Sequence, residues 1–557
     1  MHFFNAMLKY NTQSLIIIDN PVRKSNIFSG SFYRKFMIHD PGCRSRNCGI
    51  EFSADPLYDV GHRNCQLHFK GWLSRRSKVY RMKLFRHSLL CFAALLLLFS
   101  VPLPCAAAEN TIPDNASVKN TKNGNTGDPT VTIFIASDLH LLSPSLTDGG
   151  EAFTDITERG DGKAVYYSDE LLNAFVQEVL AASPDYVLMT GDLTFNGEKQ
   201  SHLDLAEQLR VLEDNGISCL VIPGNHDLNC RSARKYSGSE MLMTETADPE
   251  GFAQIYSDFG YEQAVSRAPD SLSYTYDLAD GLRLLCIDVN TPEFPGLLTQ
   301  GTLDWAEMQL KEAEKQNIRV IACSHQNLNA HNSLFIDGYN MGYASSLRSL
   351  YKEHGVSLNF SGHIHLQHIS QIDGVTDIAT SAMCVYPCHY GIFRLERADS
   401  VSGNAAGHKT ASVDPAGDDA ADAMADHNVI RGNDVWSYTY ETKEVDVTGM
   451  AQRLGSEDPV LLDFKEYCRS IFTRTGMRQL EAELAELPVS DEVKAEMADG
   501  ISRLNLAYFS GRLDTFEGFE DLLELWQKNA PQSFYIVYLL SLKDEEPADM
   551  TVLQGTL

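Results

Sequence analysis

The chain has 557 residues, 43% of them apolar, and a formal net charge of −29. That length exceeds what one hydrophobic core supports and implies two domains with additional segments. Residues 1–108 hold 15 Lys and Arg against 5 Asp and Glu, a net of +10, so the remainder carries −39; such an acidic body repels phosphate backbones and argues against bulk DNA or RNA as a partner.

Residues 1–81 show no sustained periodicity and hold scattered Cys43, Cys48 and Cys65. After Met82 come Lys83 and Arg86, an apolar run from Leu89 to Val101, and Ala106-Ala107-Ala108. That is the order of a secretory signal with an A-x-A cleavage site. The reading is a signal peptide over 82–108, export to the cell surface or beyond, and an over-extended start over 1–81. The apolar run is short of the ~20 residues a membrane span needs, so the mature chain is expected to keep no stable span. A lipoprotein signal at Cys105 would have Pro104 where a small residue belongs. Residues 109–130 are polar and read as a flexible leader.

From Val131 the pattern becomes that of an α/β domain, expected over 131–450. Val131–Ala136 reads as a buried strand, Ser168 as the cap of a helix closed by Ser183-Pro184, and Tyr186–Met189 as the next strand. A helix over Glu198–Asp214 precedes a strand over Ser218–Ile222; further strands fall at Arg319–Cys323 and Val356–Phe360. Strands alternating with helices predict a parallel sheet with right-handed crossovers. Beyond His365, short antiparallel strands are expected at Gln367–Ile372, Val375–Thr380, Gly391–Leu395 and Val435–Tyr440, with a low-complexity insertion over 398–433. The apolar spacing over 457–557 predicts a helical C-terminal domain without chemistry of its own. Of the seven Cys after the cleavage site, Cys384 and Cys388 form a candidate bridge; the odd number leaves at least one unpaired.

Five short signatures close the apolar runs: Asp138-Leu139-His140, Gly191-Asp192, Gly224-Asn225-His226-Asp227, His325 and Gly362-His363-Ile364-His365. Carboxylate, amide and imidazole donors at strand ends suit a hard-to-borderline divalent ion. In this order they resemble the calcineurin-like metallophosphoesterase superfamily over about Val131–Val447. The stretch Gly191–Glu198 resembles the branch containing bacterial cyclic-nucleotide phosphodiesterases. Purple acid phosphatases place a Tyr ligand just after the second motif, where this chain has Phe195 and Asn196.

The resemblance implies a four-layer αββα sandwich and an enzyme hydrolysing phosphoester bonds by attack of a hydroxide shared between two metal ions, which the signal-like segment would make a secreted one. It implies Asp192 as the bridging ligand, with Asp138, His140 and His365 completing one site and Asn225, His325 and His363 the other. Iron, manganese or zinc fit that donor set better than calcium. His226 is the implied catalytic residue, protonating the leaving oxygen with Asp227 or Asp192 as supporting carboxylate. A phosphodiester is the expected substrate, within a small-molecule, lipid or cell-wall phosphoester class. The alternatives are a phosphomonoesterase of the purple-acid type and a non-catalytic binding protein on the same fold. His331 is a further candidate for substrate contact. Asp148, Asp155 and Asp161 lie on a loop expected to overhang the site as solvated turn residues, and Asp288 and Asn290 are expected to support it.

Overall fold

The computed structural model describes residues 130–398, 435–543 and 548–557. The segments read from sequence as an over-extended start (1–81), a signal peptide (82–108), a leader (109–130, except Thr130) and an insertion (398–433, except Ala398) lie outside the described residues.

Strands β1 (Thr130–Ala136), β2 (Tyr186–Met189) and β3 (Ser218–Val221) are parallel neighbours. Their side chains are buried on both faces, as expected of central strands covered by helices. The covering helices are α1 (Ser168–Ala182) and α2 (Lys199–Asp214). Ser168 does not cap α1: its hydroxyl accepts the Leu142 amide at 3.2 Å instead. A short hairpin follows, β4 (Arg234–Ser237) with β5 (Glu240–Met243).

A seven-stranded sheet comes next. It contains β6 (Ser266–Arg267), β7 (Tyr274–Ala279), β8 (Leu282–Ile287), β9 (Arg319–Ser324), β10 (Leu358–Ser361), β11 (His368–Ile372) and β12 (Val375–Ala379), in the order β11-β12-β10-β9-β8-β7-β6. Helices α3 (Gln300–Lys315) and α4 (Ala344–Glu353) make its crossovers. The chain then returns to the first sheet with β13 (His389–Ala398) and β14 (Val435–Glu444), and finally β15 (Val552–Thr556). That sheet runs β15-β14-β13-β1-β2-β3. Both sheets are therefore mixed: the second has a parallel centre with antiparallel strands at both margins, whereas the first has parallel β1-β2-β3 at one side and antiparallel β13-β14-β15 at the other. Phe360 on β10 stacks edge-on against Phe393 on β13, ring centroids 4.9 Å apart, so the sheets pack face to face in the expected αββα arrangement.

Helices α5 (Phe464–Ala485), α6 (Asp491–Phe509), α7 (Phe519–Asn529) and α8 (Phe534–Lys543) form the helical C-terminal region. Their core, which includes Leu480, Ile501, Leu504 and Trp526, also takes in Ile364 from the fifth motif and Leu366 just after it. The last residues are not helical, contrary to expectation: β15 pairs antiparallel with β14. Its five residues are at most half-buried, so the apolar alternation that marks a strand is weak. Cys384 and Cys388 carry free thiols, so the candidate bridge is absent. Among the described residues no helix is long and apolar enough to cross a membrane.

Phe360 is fully buried where the sheets meet. Phe360→Ala should destabilise the fold by about 3–5 kcal/mol, read as a lowered midpoint in urea unfolding. A loss below about 1 kcal/mol would mean that the neighbouring rings close the cavity without penalty.

Candidate metal centre

The signatures meet because they leave the C-terminal ends of adjacent strands in the two facing sheets. Asp138 and His140 follow β1, Asp192 follows β2, and Asn225 and His226 follow β3; His325 follows β9, and His363 and His365 follow β10. The first two exits are knitted together: the Asp138 amide donates to the Gly191 carbonyl and the His140 amide to the Asp192 carbonyl, each at 3.0 Å. The sheets are joined across the site by the His363 amide, which donates to Asp138 Oδ2 at 2.9 Å.

Two donor groups result. Asp138, His140, Asp192 and His365 each direct one atom into a space where these atoms lie within 4.8 Å of one another, and Asp192, His325 and His363 do the same beside it. Asp192 belongs to both. His140 Nε2 and His365 Nε2 are 3.3 Å apart, His365 Nε2 is 3.2 Å from Asp138 Oδ1, and His140 Nε2 is 3.7 Å from Asp192 Oδ2. His325 Nε2 lies 3.3 Å from Asp192 Oδ1 and 3.2 Å from Asn225 Oδ1.

The hydrogen bonds behind these atoms orient them. His325 Nδ1–H donates to the Thr190 carbonyl at 2.8 Å, which turns Nε2 toward the oxygens of Asp192 and Asn225. His363 Nε2–H donates to the Gly338 carbonyl at 2.8 Å, leaving Nδ1 for the cluster. Backing of this kind fixes the tautomer of a metal-binding imidazole. Asp138 Oδ2 accepts from Ser137 Oγ at 2.6 Å, whereas Oδ1 is buried and accepts no hydrogen bond. An orphaned carboxylate oxygen beside converging imidazole nitrogens lacks a positive charge. The nitrogen and oxygen donors, their spacing and this orphaned atom all fit a pair of divalent cations.

Charge and burial act together on these groups. Burial works against ionising Asp138, but His365 holds its carboxyl far below the usual range. Burial would depress His325, yet Asp192 lifts it to about 9. His363, buried and facing His325, is pushed down to about 4.

His226 stands apart from the donor groups. Its Nδ1–H donates to the Phe195 carbonyl at 2.9 Å, and its ring meets that of His140 edge-on at 4.9 Å between centroids. This leaves Nε2 as the ring nitrogen available to the adjoining cavity, which His226 lines. Burial pushes its pKa down, with Asp192 opposing and Lys163 reinforcing the shift. Asp227 does not serve the ring: its carboxylate accepts from the amides of Leu193 (3.1 Å), Thr194 (3.0 Å) and Gly224 (2.7 Å), tying the second motif to the third.

His331 is corrected by the structure. It is buried at 2% exposure, with Nε2 3.2 Å from Asp377 Oδ2 and Nδ1 3.1 Å from His368 Nδ1, and it is not among the residues lining the cavity beside the cluster. Asp288 and Asn290 do support the site. Asp288 accepts the Asn290 amide at 2.7 Å, and Asn290 Nδ2 donates to the Pro223 carbonyl at 3.0 Å, just before the third motif. The loop carboxylates are dispersed: Asp148 accepts the Gly238 amide and Asp155 pairs with Arg159. Asp161 is drawn inward to Lys163, 2.9 Å from Nζ.

Lys163 is the residue that pattern reading passed over. Its side chain is only 5% exposed, yet it lines the same cavity as Asp192 and His226. Burial would depress the ammonium, but Asp161 holds its pKa above the ordinary lysine value. The loop is clasped by Ala164, whose amide donates to the Cys384 carbonyl at 2.7 Å, and residue 383 in turn donates to the Ser137 carbonyl at 2.9 Å. A lone Lys flanked by Gly162 in an acidic loop was the available signal.

Residues 131–367 match the family described as calcineurin-like phosphoesterase, and residues 446–549 match the C-terminal domain of cyclic nucleotide phosphodiesterase. No curated protein matches the chain. Among solved structures, a dimetal phosphatase from Danio rerio is 14% identical, with 48% of this chain and 95% of that one covered at a TM-score of 0.36. GAP50, described as the anchor in the inner membrane complex of Plasmodium, is 14% identical with coverages of 48% and 81% and a TM-score of 0.28. A phosphopantetheinyl hydrolase from Mycobacterium tuberculosis is 12% identical with coverages of 45% and 89% and a TM-score of 0.23. The chain carries a calcineurin-like phosphoesterase domain and is a metal-dependent phosphoester hydrolase.

Because Asp192 belongs to both donor groups and His363 to one, their removal should differ. Asp192→Ala is expected to lose all bound metal, and His363→Ala to keep part of it, by elemental analysis of the folded variants. Equal metal content in the two variants would contradict the shared position of Asp192.

Proposed function

We propose that this metal-dependent phosphoester hydrolase cleaves phosphodiesters at a dinuclear centre and is exported. The observation that supports the diester reading most directly is the match of residues 446–549 to the C-terminal domain of cyclic nucleotide phosphodiesterase, whose helices wall the same cavity as the donor cluster. The residue after Thr194 is Phe195, so the tyrosine ligand of the purple-acid type has no counterpart there.

Asp138, His140, His365 and Asp192 would hold one ion, and Asp192, Asn225, His325 and His363 the other, with iron, manganese or zinc suited to the set. Such ions supply Lewis acidity and a polarising charge for the attacking water and the phosphoryl oxygens. The protein's own groups do the rest. The Lys163 ammonium, fixed by Asp161, offers a buried positive charge to an anionic oxygen of the substrate. His226, oriented by the Phe195 carbonyl, presents Nε2 to the ester oxygens and shuttles the proton that the leaving alkoxide needs. Burial lowers its pKa, against the carboxylate support that the sequence suggested, and so eases release of that proton. Export rests on the signal-like segment Met82–Ala108.

His226→Ala should retain its metal and lose ~10²-fold or more in kcat, the usual scale for a lost acid–base group. A variant with unchanged turnover of a diester with a poor leaving group would remove His226 from the chemistry. The ester class is settled by kcat/KM for a matched aryl diester and monoester at one metal loading. A monoester preference of roughly tenfold or more, about 1.4 kcal/mol, defeats the diester assignment. Export is tested by N-terminal sequencing of the native protein, where residues upstream of Glu109 would count against cleavage at Ala108.

A further inference from the structure

The cavity beside the donor cluster has two unlike ends. One is formed by Asn225, His226, His363 and His365; the other is built by the C-terminal helices, through Phe472, Met477, Leu480, Ile501, Phe509 and Tyr538. The volume is about 310 Å³. The helical end carries no charged side chain among the described residues, although Arg474, Arg478 and Arg503 lie on the same helices. Polar groups there are partly consumed internally: Tyr538 Oη–H donates to Asn505 Oδ1 at 2.9 Å, and Thr475 Oγ1 donates to the Gly160 carbonyl at 3.4 Å.

From this we infer that the helical end is a subsite for an uncharged, hydrocarbon-rich ester group of the substrate, an alkyl chain or unsubstituted aryl ring. This rests on the phosphodiesterase reading for the reaction and adds the class of group that the reaction acts on. A phosphoryl group at the donor cluster directs one substituent toward the helices, because the cluster and the helical wall share one cavity. A sugar or nucleobase seated there would bring several hydrogen-bonding edges to a wall made mainly of hydrocarbon side chains, where Thr473 Oγ1 is a buried hydroxyl without a partner, and each polar group left unpaired weakens binding. A hydrocarbon brings none, and each buried methylene is worth about fourfold in binding. The helical region thereby acquires a task in choosing the substrate.

Gly476 supplies the test. It lies within α5 and lines the cavity, and a Cβ built there meets nothing nearer than Asn505 Nδ2 at 3.9 Å. Gly476→Leu therefore fills the subsite without a backbone clash, and helix propensity favours it. The full chain at fixed metal loading is assayed with 4-nitrophenyl methyl, butyl and hexyl phosphates, with adenosine 3′,5′-cyclic phosphate as a polar diester. Binding of methyl- and hexylphosphonate is measured separately by calorimetry. The expected result is a rise in kcat/KM of at least ~30-fold from methyl to hexyl, part of the roughly fourfold per methylene available. The phosphonates should follow the same order. Gly476→Leu should cut that ratio to below about threefold.

Equal values for methyl and hexyl diesters, or a preference for the cyclic nucleotide, would overturn the subsite and leave the diesterase reading intact. An unchanged hexyl preference in Gly476→Leu would also overturn its placement on the helices. Tighter binding of hexylphosphonate without turnover of any diester would uphold the subsite and defeat the diesterase reading. Loss of both would defeat both.

Discussion

Two carboxylates, Asp138 and Asp192, are buried between the sheets, and ionised groups in such surroundings need compensating positive charge. The backbone amides of His226 and His363 satisfy one oxygen of each, at 2.7 and 2.9 Å. The remaining oxygens face imidazoles: Asp138 Oδ1 lies 3.2 Å from His365 Nε2, and Asp192 Oδ2 lies 3.7 Å from His140 Nε2. The arrangement is thus organised around charge that the side chains themselves only partly provide. A hydrolytic metal centre and a costly buried cluster are the same object viewed with and without its cations.

Holding that cluster dictates the backbone. Asp138, His140, Asp192, His363 and His365 all adopt left-handed conformations, with φ between 48 and 68°. Asp and His are among the non-glycine residues that tolerate this region best, yet each carries strain of roughly 1–3 kcal/mol. Stabilisation comes from the ladders entering the turns and from Asp227, which gathers three amides beneath the second and third motifs. Close approach explains the glycine of the third motif. A Cβ on Gly224 would lie 2.2 Å from the Asp192 amide nitrogen and from Oδ1. The motif glycine therefore sets the distance between the Asp192 carboxylate and its neighbour strand.

What could be read in the chain follows the range of the interactions. The parallel strands were legible because β1, β2, β3 and β9 are largely apolar runs, each followed closely by a donor residue, as is β10. The convergence of the seven donors followed from their common position at strand ends. Lys163 was not legible, since its significance depends on Asp161 turning inward and on contacts to residues 383–385, more than 200 positions away. His331 failed for the converse reason: proximity in sequence to His325 placed it near the site, whereas Asp377 and His368 hold its ring within the second sheet. Strand β15 was hidden because an exposed edge strand needs little apolar alternation.

Ile364 joins the two halves of this account. In the motif it is only the spacer between His363 and His365, but it is 4% exposed and packs into the core of the C-terminal helices. Alternation around a turn directs the two imidazoles to the cluster and the intervening side chain to Leu480, Ile501 and Leu504. Asn332 Nδ2 donating to Tyr508 Oη at 3.0 Å and the Gln367 amide donating to the Phe509 carbonyl at 3.2 Å extend the same contact. The helices therefore hold two histidines in place with one set of side chains and face the cavity with another. Changes at the cavity-facing positions, such as Met477, can alter what fits beside the cluster while Ile364 keeps its seat. Separating selection from ligand support in this way lets one donor set serve different ester groups.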